Sequence, residues 1–324
     1  MIYLNEDHIS RLGIDWRETI DVIGSSVKLI DAEDYVQPIK PYLRYGNPAN
    51  RIIAMPAYVG GEFRKAGIKW IASFPDNVSK GLPRAHSIVI LNNSETGEPE
   101  AIINTALLSI IRTASVSGLM IRHDISDRRH PGSKLKAGII GWGPIGRYHY
   151  EMVCRSFGKW MEEIRLFDLR DIDKSTVIRH EGIPARVVSS WREAYEDADI
   201  LITCTVTKER YIDLMPKRGA LLLNVSLRDF CSEVYPSVQG GIFVDNWAEV
   251  CRENTDIEFF HKTCGLQEEG TGTIADVAVR GALGRISPEQ AVMFNPMGMA
   301  AFDIAIGAYY LNLSRLRKDG LELA

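Results

Sequence analysis

The chain has 324 residues, of which 45% are hydrophobic and 25% are charged, and its formal net charge at pH 7 is −4. This composition is typical of a globular protein of about two domains and argues against a basic surface for nucleic acid. No run of about 18 apolar residues is present, as a membrane-spanning helix requires, and the five cysteines include no Cys-x-x-Cys pair for zinc. We therefore expect a cytoplasmic protein, neither exported nor bound to membrane or nucleic acid, with no metal site.

The first third of the sequence predicts an α+β domain. A short strand at residues 2–4 precedes a helix that Asp15 caps and whose apolar residues recur at helical spacing. An apolar helix is predicted over residues 106–125, and the charged, Pro- and Gly-containing residues 128–134 mark a domain boundary. Between the two helices, short turns predict antiparallel pairing of four β-rich segments: 51–59, 66–74, 86–93 and 99–105.

From residue 135 onward, strands and helices alternate. The predicted strands are 135–141, 164–170, 185–189, 199–207, 218–226 and 240–246. The predicted helices are 144–157, 173–182 and 190–198, and a last helix over 295–318 is apolar enough to pack back on the first domain. Near-continuously apolar strands are typical of a parallel sheet covered on both faces. The predicted fold class is α/β, with a Rossmann-like doubly wound domain (129–296) and an antiparallel α+β domain (1–128 and 297–324).

Residues 141–146 form a Gly-x-Gly-x-x-Gly motif between a predicted strand and a predicted helix. Its glycines, which allow a tight turn and the close approach of a pyrophosphate to the helix N-terminus, are Gly141, Gly143 and Gly146. Pro144 is tolerated in the first helical turn. Asp168 ends the next strand, where a carboxylate can accept both ribose hydroxyls of an adenosine and repel a 2′-phosphate. We therefore expect NAD as the cofactor, with NADP left open by the neighbouring Arg170.

Polar residues follow the later strands of the predicted parallel sheet. Thr205 and Thr207 come after one strand, and Ser226 follows the next. Because ligands of such sheets bind at the carboxyl ends of the strands, these residues either line the cofactor site or are ordinary turn residues. Asp229 lies just beyond them and is either an acid/base beside the cofactor or a solvated loop residue.

Three cations lie within or beside apolar segments of the first domain: Arg44, Lys69 and Arg112. A charge in such a segment is costly unless it is paired. One interpretation is a set of intramolecular salt bridges. The other is a site for the carboxylate of an amino-acid-like substrate, since an arginine can bind a carboxylate through two parallel hydrogen bonds.

The sequence resembles the ornithine cyclodeaminase/mu-crystallin family in motifs spread along nearly the whole chain. These motifs are Met55-Pro56, GIKW at 67–70, Arg112-Thr113-Ala114, the glycine motif, Asn224 with Asp229, and PMGMA at 296–300. Longer strings, such as VQPIKPYLR and NPMGMA, resemble the branch of the family that works in 2,3-diaminopropionate biosynthesis.

The resemblance implies an NAD-dependent homodimer whose first domains bind substrate and join the subunits, with each active site between the two domains of one subunit. It implies that Asp229 is the acid/base and that Lys69 also takes part in catalysis. The implied substrate-binding residues are Arg44, Met55, Lys69 and Arg112. The implied cofactor-binding residues are Arg112, Thr113, Gly141, Gly143, Pro144, Ile145, Gly146, Asp168, Thr205, Thr207, Ser226, Met297 and Gly298.

The reaction that the resemblance implies is oxidative cleavage of a secondary amine that joins glutamate to diaminopropionate, a small polycarboxylate derived from amino acids. NAD accepts hydride from the glutamate α-carbon, and Asp229 helps water add to the resulting imine. The products are 2-oxoglutarate and L-2,3-diaminopropionate, the latter feeding a siderophore or peptide-antibiotic pathway. A PLP-dependent synthase that supplies the substrate is expected as a pathway partner.

Two alternatives stay open. A cyclodeaminase or a ketimine reductase uses the same fold and residues, although ornithine cyclodeaminases carry an acid two positions before Met55, where this chain has Ile53. A crystallin-like protein that binds a nucleotide without turnover is the other alternative. The presence of Lys69, Arg112 and Asp229 together argues against it.

Overall fold

The computed structural model describes residues 1–178, 180 and 182–323. The chain divides into two compact units, Met1–Ser115 with Gly298–Ala324 (unit 1) and Val116–Met297 (unit 2). The first division falls inside a helix, Leu107–Arg128, whereas the sequence placed a boundary at the end of that helix, where charged residues, Pro and Gly begin. None of the described helices combines the length and apolar character needed to cross a bilayer.

Unit 1 is built on a mixed sheet. Its strands are β1 (Ile2–Asn5), β2 (Tyr35–Val36), β3 (Tyr42–Leu43), β4 (Arg51–Val59), β5 (Lys65–Ser73), β6 (Ala85–Asn93), β7 (Pro99–Asn104) and β16 (Leu321–Glu322). The strand order is β16-β1-β7-β6-β5-β4-β2, with β3 also paired to β4. Strands β4 to β7 are antiparallel neighbours, as the short turns predicted, whereas β1 runs parallel to β7, which the long connection between them allows.

Unit 1 also contains helices. They are α1 (Glu6–Leu12), α2 (Trp16–Asp31), the first part of α3 (Leu107–Arg128) and α10 (Ala300–Arg317), with a 3-10 helix at Pro75–Lys80. Asp15 caps α2 as predicted, because its carboxylate accepts the N–H groups of Arg17 (2.9 Å) and Glu18 (3.1 Å). The apolar residues of α10 pack on β4, β5, β6 and α2. The last helix therefore lies in the same unit as the N-terminal strands.

Unit 2 is built on a parallel sheet. Its strands are β8 (Leu135–Ile140), β9 (Met161–Phe167), β10 (Ala185–Val187), β11 (Ile200–Thr203), β12 (Leu221–Asn224), β13 (Ile242–Val244), β14 (Gly272–Thr273) and β15 (Val292–Asn295). They run in the order β10-β9-β8-β11-β12-β15-β13-β14. The chain winds outward from β8 through β9 to β10 and then returns to β11 on the other side of β8. This confirms the predicted α/β class with a Rossmann-like doubly wound sheet, and the reversal beside β8 is where such sheets bind ligands.

Besides the second part of α3, the helices of unit 2 are short apart from the one that follows the glycine motif. They are α4 (Pro144–Phe157), α5 (Trp191–Tyr195), α6 (Tyr235–Val238), α7 (Trp247–Val250), α8 (Asp256–Cys264) and α9 (Ile274–Ala278). Further 3-10 helices lie at Gly158–Trp160, Lys174–Thr176, Ser232–Val234, Glu268–Gly270 and Ala282–Arg285. The core packs between these helices and the sheet through buried apolar side chains such as Leu222, Phe230 and Met293.

Two predicted helices differ from the structure. The helix predicted over 173–182 is wrong: its described part contains only the 3-10 helix Lys174–Thr176, and residues 179 and 181 lie outside the described residues. Here Asp173 accepts hydrogen bonds from the N–H and hydroxyl of Ser175, an alternative to helical bonding. The last helix begins at Ala300 and not at 295, because 292–295 form β15 and Pro296 follows it.

A buried ion cluster joins α3 to the sheet of unit 2. The Asp124 carboxylate, which has no exposed surface, binds Arg128 Nη1 at 2.8 Å and Arg129 Nε at 2.7 Å. Arg128 also donates to the carbonyl of Gln290 (2.5 Å), and Arg129 donates to that of Gly219 (2.9 Å). One carboxylate thus pairs with two arginines, which also bind backbone carbonyls of the same unit.

We predict that Asp124→Ala destabilises the protein strongly, because it leaves two arginines without a buried counter-charge. Removing one partner of a buried ion pair costs about 3–5 kcal/mol. Urea unfolding followed by circular dichroism measures the change. Asp127→Ala is the matched control, since Asp127 lies on the same helix but contacts only part-exposed groups, with His123 at 3.7 Å. Equal midpoints for the two variants contradict the assignment.

Candidate active site

The glycine motif forms a strand-to-helix turn that side chains would block. Gly141 has a φ of +102°, and a Cβ on Gly146 would stand 1.9 Å from the Gly141 carbonyl oxygen. By contrast, a Cβ on Gly143 would meet nothing within 4 Å. Gly143 is the N-cap of α4, and Pro144 takes the first helical position. The helix N-terminus therefore has open space beside it, which fits the pyrophosphate of a dinucleotide.

Asp168 lies next to this turn, at the end of β9. Its Oδ2 accepts the N–H of Trp142 within the glycine motif (2.7 Å), and its Oδ1 accepts the N–H of Arg170 (2.9 Å). Burial opposes ionisation, but these two N–H groups and the Arg170 guanidinium together lower the pKa of Asp168. An ionised carboxylate at this place fits the ribose hydroxyls of an adenosine.

The segment after β12 carries Asp229, whose side chain is fully buried. Thr205 Oγ1 donates to its Oδ1 at 2.5 Å, and the Ser226 hydroxyl donates to its Oδ2. Thr205 follows β11, so two segments at the carboxyl edge of the sheet orient one carboxylate. The structure shows a buried carboxylate held in one orientation, so Asp229 is not a solvated loop residue, and its role as the acid/base stays a prediction.

In unit 1, two of the three predicted cations, Lys69 and Arg112, form a buried cluster around a carboxylate of α10. Asp303 Oδ2 binds Lys69 Nζ at 2.8 Å, and its Oδ1 binds Arg112 Nε at 3.1 Å. Ser109 Oγ donates to Oδ1 at 3.4 Å. Burial, partly offset by the charge of Asp303, lowers the pKa of Lys69 to about 7. For Asp303, burial is outweighed by Arg112 and Lys69, so the pKa of this carboxyl is lowered and it stays ionised.

Other groups border this cluster. Met55 lies directly opposite Lys69 in the β4–β5 pair and is buried, so the two side chains share one face of the sheet. Lys40 is also buried and donates to the Gly298 carbonyl at 2.9 Å. Gly298 has a φ of +90°, and a Cβ there would stand 2.9 Å from Arg112 Nη1. A side chain at this position would therefore displace the guanidinium.

The remaining predicted residues lie in more local contacts. Arg44 is exposed, with its guanidinium 5.2 Å from the centre of the Tyr42 ring. Thr113 donates to the Ser109 carbonyl at 2.7 Å, and Thr207 caps its own turn by accepting from Glu209 N at 3.2 Å. Ile145 is half-buried in the first turn of α4, and Met297 N donates to Asp245 Oδ1 at 3.0 Å. Their roles in binding stay predictions.

His149 supports the helix after the glycine motif. Its Nδ1 lies 2.8 Å from the Ile145 carbonyl, and its Nε2 lies 2.9 Å from the Ser117 hydroxyl. Burial lowers the pKa of His149 to about 4, so the ring is neutral. Among the residues that the structure describes, no group of three or more His, Cys, Asp or Glu side chains has the geometry to hold a metal ion.

Sequence reasoning missed three residues of these sites: Lys40, Asp303 and Asp256, the last of which binds the backbone of Asp229 at 3.0 Å. Asp303 carried a usable signal, because it is an acid within the apolar run AFDIAIGAYY. As for Lys69 and Arg112, a charge in an apolar segment is costly unless it is paired. Asp256 carried none, since an acid after a threonine is typical of any helix start.

Comparison with known proteins shows which family the sequence resembles. The sequence profile of the ornithine cyclodeaminase/mu-crystallin family matches residues 27–312. The chain is 33% identical to N-((2S)-2-amino-2-carboxyethyl)-L-glutamate dehydrogenase of Staphylococcus aureus, covering 96% of this chain and 94% of that protein. It is 27% identical to a Delta(1)-pyrroline-2-carboxylate reductase of Bacillus cereus, covering 91% of each.

The fold has close counterparts among solved structures. The Delta(1)-pyrroline-2-carboxylate reductase of Thermococcus litoralis, solved in complex with NADH and L-proline, superposes with a TM-score of 0.86 at 22% identity and covers 100% of both chains. Together, the profile match, the 33% identity over nearly the full length and the shared fold establish that this chain belongs to the ornithine cyclodeaminase/mu-crystallin family.

Proposed function

We propose that the chain catalyses the NAD-dependent oxidative hydrolysis of N-(2-amino-2-carboxyethyl)-L-glutamate to 2-oxoglutarate and L-2,3-diaminopropionate. At the coarser level, the chain is an NAD-dependent oxidoreductase that acts on a carbon–nitrogen bond. Support for the finer assignment is the 33% identity to a dehydrogenase of that name over 94% of its length. The observation that carries the substrate class is the hydrogen bonding of Arg112.

Arg112 is held in place by one nitrogen and has two left for a ligand. Its Nε binds Asp303, while Nη1 and Nη2 have no hydrogen-bond partner within the described residues. A guanidinium edge of this kind binds a carboxylate through two parallel hydrogen bonds. Lys69 and Lys40 add positive charge beside it, since Arg112 and Lys40 both lower the pKa of Lys69. A substrate with several carboxylates therefore suits this cluster.

In the proposed mechanism, the residues of unit 2 hold the dinucleotide and move protons. The glycine motif and the N-terminus of α4 bind the pyrophosphate, and Asp168 binds the adenosine ribose. When bound, NAD supplies the acceptor for a hydride from the glutamate α-carbon. Asp229 takes a proton from the water that adds to the oxidised carbon–nitrogen bond and returns it to the departing amine. Thr205 and Ser226 keep its carboxylate in one orientation for both transfers.

The proposal includes a cytoplasmic homodimer, joined through unit 1. Large apolar side chains that unit 1 leaves exposed support such an interface, among them Val36, Ile39, Leu43, Tyr45 and Val78. It also includes a PLP-dependent synthase as the source of the substrate, and a siderophore or peptide-antibiotic pathway as the destination of the diaminopropionate.

A second candidate function is the reduction of a cyclic imine. This candidate is supported by the 27% identity to a Delta(1)-pyrroline-2-carboxylate reductase over 91% of both chains. The same carboxylate-binding arginine and the same acid serve that reaction in the opposite direction. A cyclodeaminase is disfavoured by Ile53, which stands where an acid is expected for a diamine substrate.

The deciding experiment is NADH formation at 340 nm with N-(2-amino-2-carboxyethyl)-L-glutamate and NAD, with both products identified by mass. Stoichiometric 2-oxoglutarate and L-2,3-diaminopropionate support the dehydrogenase. L-Ornithine, assayed by ammonia and proline, and Delta(1)-pyrroline-2-carboxylate with NADH are run beside it. Turnover of either of these, with none of the first substrate, overturns the proposal in favour of a cyclodeaminase or a reductase.

We predict that Gly143→Ala weakens NAD binding at least about tenfold, about 1.4 kcal/mol, without lowering the melting temperature. The added methyl group meets no protein atom but fills the space beside the α4 N-terminus. Titration of tryptophan fluorescence with NADH measures the affinity. Gly284→Ala is the control, since a Cβ there meets only Asp127 Cβ at 4.0 Å. Normal affinity in Gly143→Ala argues against pyrophosphate binding at this turn.

We predict that Arg112→Ala lowers kcat/KM about 30-fold or more, because a lost partner of a buried carboxylate costs about 2 kcal/mol or more. The fold should persist, since Asp303 keeps Lys69 as its partner. Initial rates with varied substrate and saturating NAD test this. Arg315→Ala removes an arginine of the same unit from an exposed pair with Glu100 and should leave the kinetics unchanged. Normal kinetics in Arg112→Ala refute its role.

We predict that kcat/KM falls as the pH rises through about 7, because Lys69 loses the charge that attracts a substrate carboxylate. The lowered pKa means that the ammonium form is complete only below this value. Asp303→Asn removes the charge that favours the ammonium, so it should move the decline to lower pH. A decline that stays in place in Asp303→Asn shows that another group is responsible.

A further inference from the structure

Asp256, the first residue of α8, has a fully buried carboxylate that receives four hydrogen bonds. Arg210 Nε donates to its Oδ1 at 2.7 Å. Its Oδ2 accepts Asn224 Nδ2 at 3.0 Å and the backbone N–H groups of Asp229 (3.0 Å) and Phe230 (3.2 Å). A buried carboxylate with this many donors is well satisfied as an anion.

These donors come from different segments at the carboxyl edge of the parallel sheet. Arg210 belongs to the segment after β11, which also carries Thr205, and Asp229 belongs to the segment after β12. Arg210 is fixed further by donating to the carbonyls of Asn254 and Thr255, both at 2.9 Å. Asp256, at the start of α8, thus binds the backbone of Asp229, the acid/base of the proposed mechanism. Through Arg210 it also binds the segment that carries Thr205, which donates a hydrogen bond to Asp229.

The charged and titratable groups that face Asp256 come from these same segments. They are Arg210 and Tyr211 after β11, and Asp229 and Cys231 after β12. Burial, and then the negative charge of Asp229, raise the pKa of Asp256 to about 6, against the opposing effect of Arg210. The carboxylate is therefore ionised at neutral pH and takes up a proton in mildly acidic solution.

We propose that Asp256 is a positioning residue for Asp229: its anionic form holds the segments after β11 and β12 in the catalytic arrangement, and its protonation loosens them and stops turnover. The proposal rests on the acid/base role of Asp229 in the proposed function. A proton on Oδ1 displaces the hydrogen bond from Arg210 and leaves that guanidinium without its counter-charge. A proton on Oδ2 competes with the N–H groups of Asp229 and Phe230.

Asp256→Asn and Arg210→Gln separate this role from a purely structural one. Asparagine keeps an oxygen for the backbone N–H groups but has no charge, so kcat should fall about tenfold or more and the decline near pH 6 should disappear. Arg210→Gln removes the cation that favours the anion, so the decline should move upward by about one pH unit or more. The decline assigned to Lys69 has the opposite sign, since activity falls as the pH rises through about 7, so the direction of the slope distinguishes the two groups.

Asp276→Asn is the matched control. Asp276 also lies in the first turn of a helix, accepts a backbone N–H from Thr273 at 2.7 Å and pairs with Arg280 at 2.8 Å, but it has no contact with Asp229 among the described residues. Its pH profile should superimpose on that of the parent protein. If Asp256 has only a structural role, both Asp256→Asn and Asp276→Asn should lower the melting temperature. Both variants should then keep the decline in activity near pH 6.

Hydrogen exchange provides a readout that needs no substrate. In the parent protein, protection of the Asp229 and Phe230 amides should fall about tenfold between pH 7 and pH 5 after correction for the intrinsic rates. It should become independent of pH in Asp256→Asn and fall at higher pH in Arg210→Gln. Protection that does not change with pH in the parent, or changes identically in Asp256→Asn, overturns the proposal. Failure of the proposed substrate to react, with these shifts present, overturns the proposed function alone.

Discussion

The fully buried carboxylate of Asp303 binds both Lys69 and Arg112, and this pairing fixes the positions of the two cations in unit 1. A buried charge needs a partner, so an acid on α10 is required for a lysine on β5 and an arginine on α3. Because Asp303 uses only the Nε of Arg112, it fixes the guanidinium without consuming its other nitrogens. Asp303 thus pairs with both buried cations and leaves Nη1 and Nη2 of Arg112, the edge that we propose binds a substrate carboxylate.

In unit 2, buried acids likewise need partners, and most of these partners are neutral hydrogen-bond donors. Asp229 and Asp256 are two buried acids near each other, and hydroxyl, amide and backbone N–H donors, with Arg210, make this arrangement possible. The donors lie in the segments after β11 and β12, where a doubly wound sheet brings successive connections to one edge. The topology therefore supplies the partners that an isolated acidic loop lacks.

Prediction from sequence succeeded where the signal was periodic and local. Apolar runs alternating with helices correctly indicated the parallel sheet, and Asp15 correctly marked the start of α2. Pairing order was beyond reach, because nothing in the periodicity of residues 292–295 indicates that β15 inserts between β12 and β13. The helix predicted over 173–182 failed for a local reason, since the side chains of Asp173 and Ser175 bond each other and the nearby backbone.

The sequence by itself determined the glycine turn, Asp168 beside it and the presence of cations in apolar segments. Each of these depends on residues close together in the chain, whose spacing carries the information. Only the tertiary structure decided which acids balance those cations, because Asp303 lies 234 residues from Lys69 and 191 from Arg112. It likewise revealed Asp256, whose first-turn position looks like an ordinary helix start until folding places the backbone of Asp229 against it. Burial and ion pairing depend on segments that are distant in the sequence and meet only in the folded protein. The spacing of residues along the chain therefore does not predict them.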